Sequence, residues 1–363
     1  MTEAITVTRK ELEAWANGPA GPVALHLRQK LLPVEGEDGV IFPPTYADVG
    51  YNIDTLADGT KVATIDSVAS QANRIEPLFK HAPLDALLPH ITIRFGNERS
   101  VSLLDIGHRI ADAAVRNSEL SSDVKKAFDS FLRSGDVEPI ARLAPTSLVF
   151  GVWDSRGEGA KFPRLLNSVI RAWDVEPLTR SAVYIPPLDY AALEVFSEED
   201  REKATGNAKS PLAQKGFVHV PAGNTPGGVL VRGGIFRDVT LNLVALRRLN
   251  EKLSSGPMLR AYILGLALVA ATAPQDGFLR QGCLLVPDPA ASASWMLVDA
   301  KGARQAVTFA EDFLPDFALE AAQRFDIAGS RTVHFDVEAA RKEVAEQRER
   351  KGKGRRSAKE TAA

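Results

Sequence analysis

GVWDSRGEGAKFPRLLNSVIRAWDVEPLTRSAVYIPP spans Gly151–Pro187. Its first half is rich in glycine and charge; its second alternates basic and aromatic residues with aliphatic ones. A strand alternates side chains between its two faces. Read as a strand, Ser168–Val175 puts Ile170 and Ala172 on one face and Val169, Arg171 and Trp173 on the other. Read likewise, Arg180–Ile185 puts Ser181, Val183 and Ile185 on one face and Arg180 and Tyr184 on the other. Two such strands side by side would present Arg171, Trp173, Arg180 and Tyr184 on one sheet surface. Guanidinium groups neutralise phosphates and rings accept stacked bases whatever their sequence, so this is a surface suited to single-stranded nucleic acid. The preceding loop adds Arg156, Lys161 and Arg164, with glycines that let a backbone approach a phosphate. An ordinary half-exposed strand also alternates arginine with aliphatics, and tryptophans such as Trp153 and Trp173 often belong to a core, so the pattern alone leaves both readings open.

Outward from this stretch, the organisation is that of a mixed chain. PVALHLRQKLL reads as a strand, and YNIDTLADGTKVATI as a hairpin turning at Asp58-Gly59. TRKELEAWA begins with a capping box, Thr8 and Glu11. A helix capped by Asp66 is expected over SVASQANRIEPLF. There Gln71 and Arg74 are three residues apart, and with Asn73 near a helix start they could contact a phosphate or a ribose; a plain solvated face reads the same way. LLDIGHRIADAAVR and SSDVKKAFDSFLRSG both read as amphipathic helices, the second stopping at Gly135. TSLVFGVW reads as a central strand and GGVLVRGGIFRDV as one glycine-interrupted strand around Arg232. TLNLVALRRLNEKL and LRAYILGLALVAATA read as helices, followed by short strands GCLLVPD and SWMLVDA, a helix near Phe309–Phe325, a strand RTVHF and a terminal helix from Asp336. Segment Asp189–Pro226 is the least core-like internal stretch, and Arg350–Lys359 is a basic tail expected to be disordered. Strands and helices without regular βαβ alternation argue α+β.

The composition excludes several classes. Net charge is −2, so a polyanionic partner would have to be held by local patches. The start has no apolar core of a signal peptide, and Ala261–Ala273 is too short to span a bilayer, so no membrane role and a cytosolic location are expected. Cys283 is the single cysteine, which excludes an internal disulfide or a thiolate cage and suits a small buried hydrophobe. The six histidines, His26, His81, His90, His108, His219 and His334, show no metal-ligand spacing. Nucleotide-binding glycine motifs and a nucleophile elbow are likewise missing, so no metal, cofactor or catalytic residue is expected.

ATIDSVASQANRIEP, APTSLVFGVWDSRG, RLLNSVIRAWDVEPLTRSAVYIPPLDY and NTPGGVLVRGGIFRDVTLNLVALRRL together resemble the Csb-one RAMP proteins, the backbone subunit of the type I-U (also called I-G) CRISPR Cascade-like effector complex. The resemblance runs from about Val23 to about Phe335. It implies an α+β fold: a modified RNA-recognition-motif (ferredoxin-like) palm with large insertions. A single RAMP-type domain over 1–349 would carry a helical insertion at about 81–145 and a thumb at about 186–226, before the basic tail 350–363. PVALHLRQKLL would be the first palm strand, SVIRAW and GGVLVRGG the middle two. The resemblance further implies a non-catalytic CRISPR RNA-binding subunit in a prokaryotic cytoplasm. Copies would stack as a helical oligomer along the guide spacer, beside other Cascade subunits, presenting the guide to target DNA. The positions that match are Gln71, Asn73, Arg74, Arg156, Arg171, Arg180 and Arg232; Lys161, Arg164 and Trp173 join them from the residue pattern as RNA-binding candidates. A second expectation, from guide-processing relatives, is a metal-independent CRISPR RNA endoribonuclease.

Overall fold

A computed structural model describes residues 4–96, 98–157 and 159–345, so the basic tail lies outside the described residues. The elements used below are strands β1 (Ala24–Pro33), β2 (Lys61–Asp66), β3 (Leu166–Trp173), β4 (Val175–Tyr184), β5 (Val220–Val231), β6 (Ile235–Asn242), β7 (Ser294–Val298) and β8 (Arg304–Thr308). The helices are α1 (Val68–Ile75), α2 (Ser121–Ser134), α3 (Gly256–Thr272) and α4 (Phe313–Phe325). The chain is mixed α/β, built on a 10-stranded sheet. Its main path runs Ile5–Thr6, β8, β7, β1, β6, β3, β2, Ile53–Thr55. The Ile5–Thr6 pair with β8 is parallel; the other pairs along this path are antiparallel.

Alternation fixes the two faces of this sheet. Leu25, Leu27 and Leu31 of β1, Leu166, Ile170 and Ala172 of β3, and Ile235, Val239 and Leu241 of β6 are buried. The intervening residues, among them His26, Arg171, Phe236 and Thr240, are half-buried on the opposite face. Helix α3 is buried from Leu259 to Ala271, as an almost wholly apolar run of that length requires when it does not cross a membrane; its one charge there, Arg260, donates to the Asn17 side chain and the Leu249 carbonyl. No helix among the described residues is long and apolar enough to cross one. At Gly265 a Cβ would stand 2.8 Å from the Ala318 Cα, so glycine is what allows α3 and α4 to touch backbone to backbone. One turn away Tyr262 stacks on Phe325 at 4.8 Å and donates its hydroxyl to the Leu87 carbonyl.

Several local expectations hold. The Thr8/Glu11 capping box forms, the hairpin turns at Asp58-Gly59, and α2 ends on Gly135 in the left-handed conformation. Others need correction. LLDIGHRIADAAVR is three short turns, Leu103–Asp105, Arg109–Ala111 and Ala113–Arg116, not one helix. Arg109 has a positive φ of 53° and Asp112 caps the third turn, which breaks the periodicity. The i,i+4 pairs that one helix would bring together, Asp105/Arg109 and Asp112/Arg116, do not form, because Asp105 binds Lys80, Arg109 binds Glu76 and Arg116 binds Glu343. TSLVFGVW is a helical turn, Thr146–Val149, then the two-residue strand Val152–Trp153; an all-apolar run does not distinguish buried helix from buried strand. The cap of α1 is Ser67, not Asp66. GGVLVRGGIFRDV is two strands that part at Arg232–Gly234, so the central strand is IFRDVTLN rather than GGVLVRGG. TLNLVALRRLNEKL is strand up to Asn242, with only Leu243–Arg247 helical.

Candidate nucleic-acid interface

A groove of about 640 Å³ forms where the glycine-rich loop meets α1 and the Gly107–Arg109 turn. Asn73, His108, Trp153, Lys161 and Arg164 line it, and no acidic side chain does among the described residues. Short strands Val152–Trp153 and Lys161–Phe162 pair antiparallel, which sets Lys161 directly opposite Trp153. The Lys161 ammonium lies 5.3 Å from the centre of the Trp153 ring, and that ring is 61% exposed, so it is a platform and not part of the core. Gly151 has φ 78°, and a Cβ there would come within 2.8 Å of the Arg164 side chain. Glycine thus lets Arg164 lie across the backbone, where its Nε donates to the Phe150 carbonyl at 3.1 Å.

Arg109 forms the floor. It is 5% exposed, pairs with Glu76 at 2.7 Å, donates to the Gly151 carbonyl at 3.1 Å and lies over the Phe150 ring. Burial pushes the Glu76 carboxyl above its ordinary value, although Arg109 pulls the other way. Burial, then the neighbouring Arg109, lowers the Arg164 guanidinium below its ordinary value. One positive group under the groove is therefore neutralised by Glu76, while Lys161 and Arg164 make no ion pair with a described residue.

The remaining sequence candidates fall elsewhere. Arg156 is exposed on the same loop, and its carbonyl accepts from Arg116. Gln71 is fully buried: its Nε2 donates to Asp66 at 2.7 Å and its Oε1 accepts from the Ser168 hydroxyl at 2.7 Å. Arg74 also binds Asp66, at 3.0 Å. Two of the three candidates in SQANR, Gln71 and Arg74, therefore knit α1 to the sheet, and only Asn73 reaches the groove.

Arg171 and Trp173 lie on the half-exposed sheet face, with Arg171 beside Phe236 in the register. The Arg28 guanidinium sits 4.0 Å over the Phe236 ring, and Asp238 lies between His26 and Arg28. The expected single face of Arg171, Trp173, Arg180 and Tyr184 is not formed. β3 pairs with β6 and β2, whereas β4 leaves the sheet and pairs only with β5 as a two-stranded ribbon. On that ribbon Arg180 is exposed near Phe42, and Tyr184 donates to the Gly216 carbonyl. Arg232 stands at the ribbon's base beside Glu176, at 3.3 Å.

Sequence reasoning missed Trp153 and His108 as groove residues, and Arg28 and Phe236 as a stacked pair. The Trp153–Lys161 pair was hidden because the loop between them separates by eight positions what the strands place face to face.

Residues 25–177 match the family described as CRISPR-associated protein GSU0053 (Cas_GSU0053). The expected similarity to CRISPR-associated proteins is found over that segment, which contains β2, α1, β3, all of β1 but its first residue, and the whole groove. No curated protein matches the chain.

Proposed function

We propose that the chain binds single-stranded CRISPR RNA as a backbone subunit of a type I-U/I-G Cascade-like complex, holding the guide without cutting it so that target DNA can pair with it. The observation that carries the reading is the groove: an exposed ring at Trp153, cations at Lys161 and Arg164, an amide at Asn73, and no carboxylate in the lining. Rings stack bases and cations neutralise phosphates without reading sequence. The family match supplies the CRISPR setting. The strand order supports an RNA-recognition-type palm: β7, β1, β6, β3 lie side by side, all antiparallel, with α1 between β1 and β3 in the chain and α3 between β6 and β7. In such a palm the segment 186–226 at the end of the ribbon is the thumb. Val183, Ile185, Leu188, Leu193 and Val195 are all more than half exposed on or just beyond β4, an apolar surface that a second copy along the guide would cover.

The test is fluorescence anisotropy with labelled single-stranded RNA of several sequences in rising salt. Two phosphate contacts per copy, at Lys161 and Arg164, predict an affinity that falls with a log–log slope of about −1.4. A salt-independent affinity, or a strong preference for one sequence, contradicts the reading. Incubation with CRISPR repeat RNA separates gripping from processing, since cleavage would favour the endoribonuclease.

A further inference from the structure

Away from the groove, a second cavity of about 180 Å³ lies against β1, β6 and the segment after α3. Its polar lining is Gln29, Arg237 and Gln275, with Thr272 at its edge, and no lining residue among those described is acidic. Gln29 stands directly across the β1/β6 ladder from Arg237. Arg237 is only 6% exposed. Its Nε donates to the Ser168 hydroxyl at 3.2 Å and its Nη2 to the Ala271 carbonyl at 3.0 Å. Its Nη1 makes no hydrogen bond with a described residue, and no described carboxylate pairs with it. The Gln275 Nε2 is buried and equally without a partner. A buried charge without a counterion is costly, and so is a buried donor without an acceptor.

The surroundings do not supply the missing charge. Ser168 passes a hydrogen bond to Gln71 and Gln71 to Asp66, and Asp66 is already shared by Arg74 at 3.0 Å and Arg280 at 3.3 Å. One carboxylate thus serves a connected network holding three guanidinium groups. Burial alone lowers Arg237 to about 10, where an anion beside it would oppose the shift.

From this geometry we infer that the cavity is a site for a small oxyanion of the phosphate class, held by Arg237 Nη1 and the Gln275 and Gln29 amides. The site is separate from the groove and does not depend on what the groove binds. Its ligand is either free inorganic phosphate or the terminal phosphate monoester of a nucleotide.

The experiment follows the thermal midpoint of the full chain against sodium phosphate, with sodium chloride at matched ionic strength as reference. A saturable upward shift is expected for the wild type and for Lys161→Ala. It should vanish in Arg237→Met and need at least tenfold more phosphate in Gln275→Leu. Should Arg237→Met fail to fold, Gln275→Leu carries the comparison. Adenosine monophosphate in place of phosphate separates the sources: an equal shift assigns a monoester, and a shift with phosphate alone assigns the free anion. No saturable shift in the wild type, a shift unchanged in Gln275→Leu, or one lost in Lys161→Ala overturns the site.

Discussion

Removing either partner of the Glu76–Arg109 pair should destabilise the protein, but by unequal amounts that depend on pH. Glu76 is 2% exposed and Arg109 5%, with 2.7 Å between their charged atoms. Breaking a buried pair by deleting one partner costs about 3–5 kcal/mol, because the survivor is left charged and unsolvated. Glu76→Leu strands a guanidinium that cannot lose its proton, so the full penalty is expected. The contacts that remain to Arg109, the Gly151 carbonyl and the Phe150 ring, are neutral. Arg109→Met strands a carboxyl that can take up a proton. Burial already raises Glu76, and in this variant the opposing pull of Arg109 is gone. An acid whose folded pKa lies above its unfolded one gives stability that is complete below the unfolded pKa and is lost as pH rises through the folded one. Arg109→Met should therefore regain about 1.4 kcal/mol per unit as pH falls through that window, whose lower end is near 4.5. The assay is urea unfolding of both variants and the wild type between pH 5 and 8. Equal losses for the two variants, or a pH-independent deficit in Arg109→Met, would refute the reasoning.

Other perturbations follow from the same geometry. Trp153→Ala should weaken single-stranded RNA binding by about 1–3 kcal/mol, roughly 5- to 150-fold, with the unfolding midpoint unchanged because the ring is exposed; anisotropy and urea melts read the two effects separately. Gly265→Leu should cost about 1–3 kcal/mol or more, since its side chain meets the Ala318 backbone on α4, and wild-type stability would show that the helices do not touch there. Cys283 is 1% exposed and burial pushes its thiol up to about 11, so native protein at pH 8 should resist iodoacetamide until denatured; prompt labelling would contradict its burial.

The strands were legible where alternation is strict, and the site only in pieces. β1 and β3 stand where their alternating apolar residues put them, because one face of each meets a core. GGVLVRGG misled because the residues on both sides of Gly233–Gly234 are strand-like, and nothing local says that the chain turns a corner there. LLDIGHRIADAAVR kept a helical period while its polar residues bonded to distant segments, so the tertiary pairs outweighed the local ones. In the groove, Lys161 and Arg164 were readable from charge beside glycine. Trp153 was not, since exposure is a property of the fold. Gln71 and Arg74 looked like ligand-facing polar residues because their partner, Asp66, belongs to the strand that precedes them and gives no pairing signal in sequence.

The corner at Trp173–Val175 has a mechanical consequence. Hydrogen bonds continue across it, from Trp173 to Gly234 and from Arg232 to Asp174, so the β3/β6 ladder runs unbroken into the β4/β5 ribbon. Asp174 has a positive φ of 52°, and at Gly233 a Cβ would come within 2.9 Å of the Trp173 backbone, so the bend is made by two strands turning together. The result is a crank. Its arm is the ten residues of β4, about 33 Å at strand rise, and its axle is a pair of central sheet strands. A rotation of about 10° at the elbow carries the tip about 6 Å over that arm. Torque applied at the far end returns to the strands that bear Arg171 and Phe236.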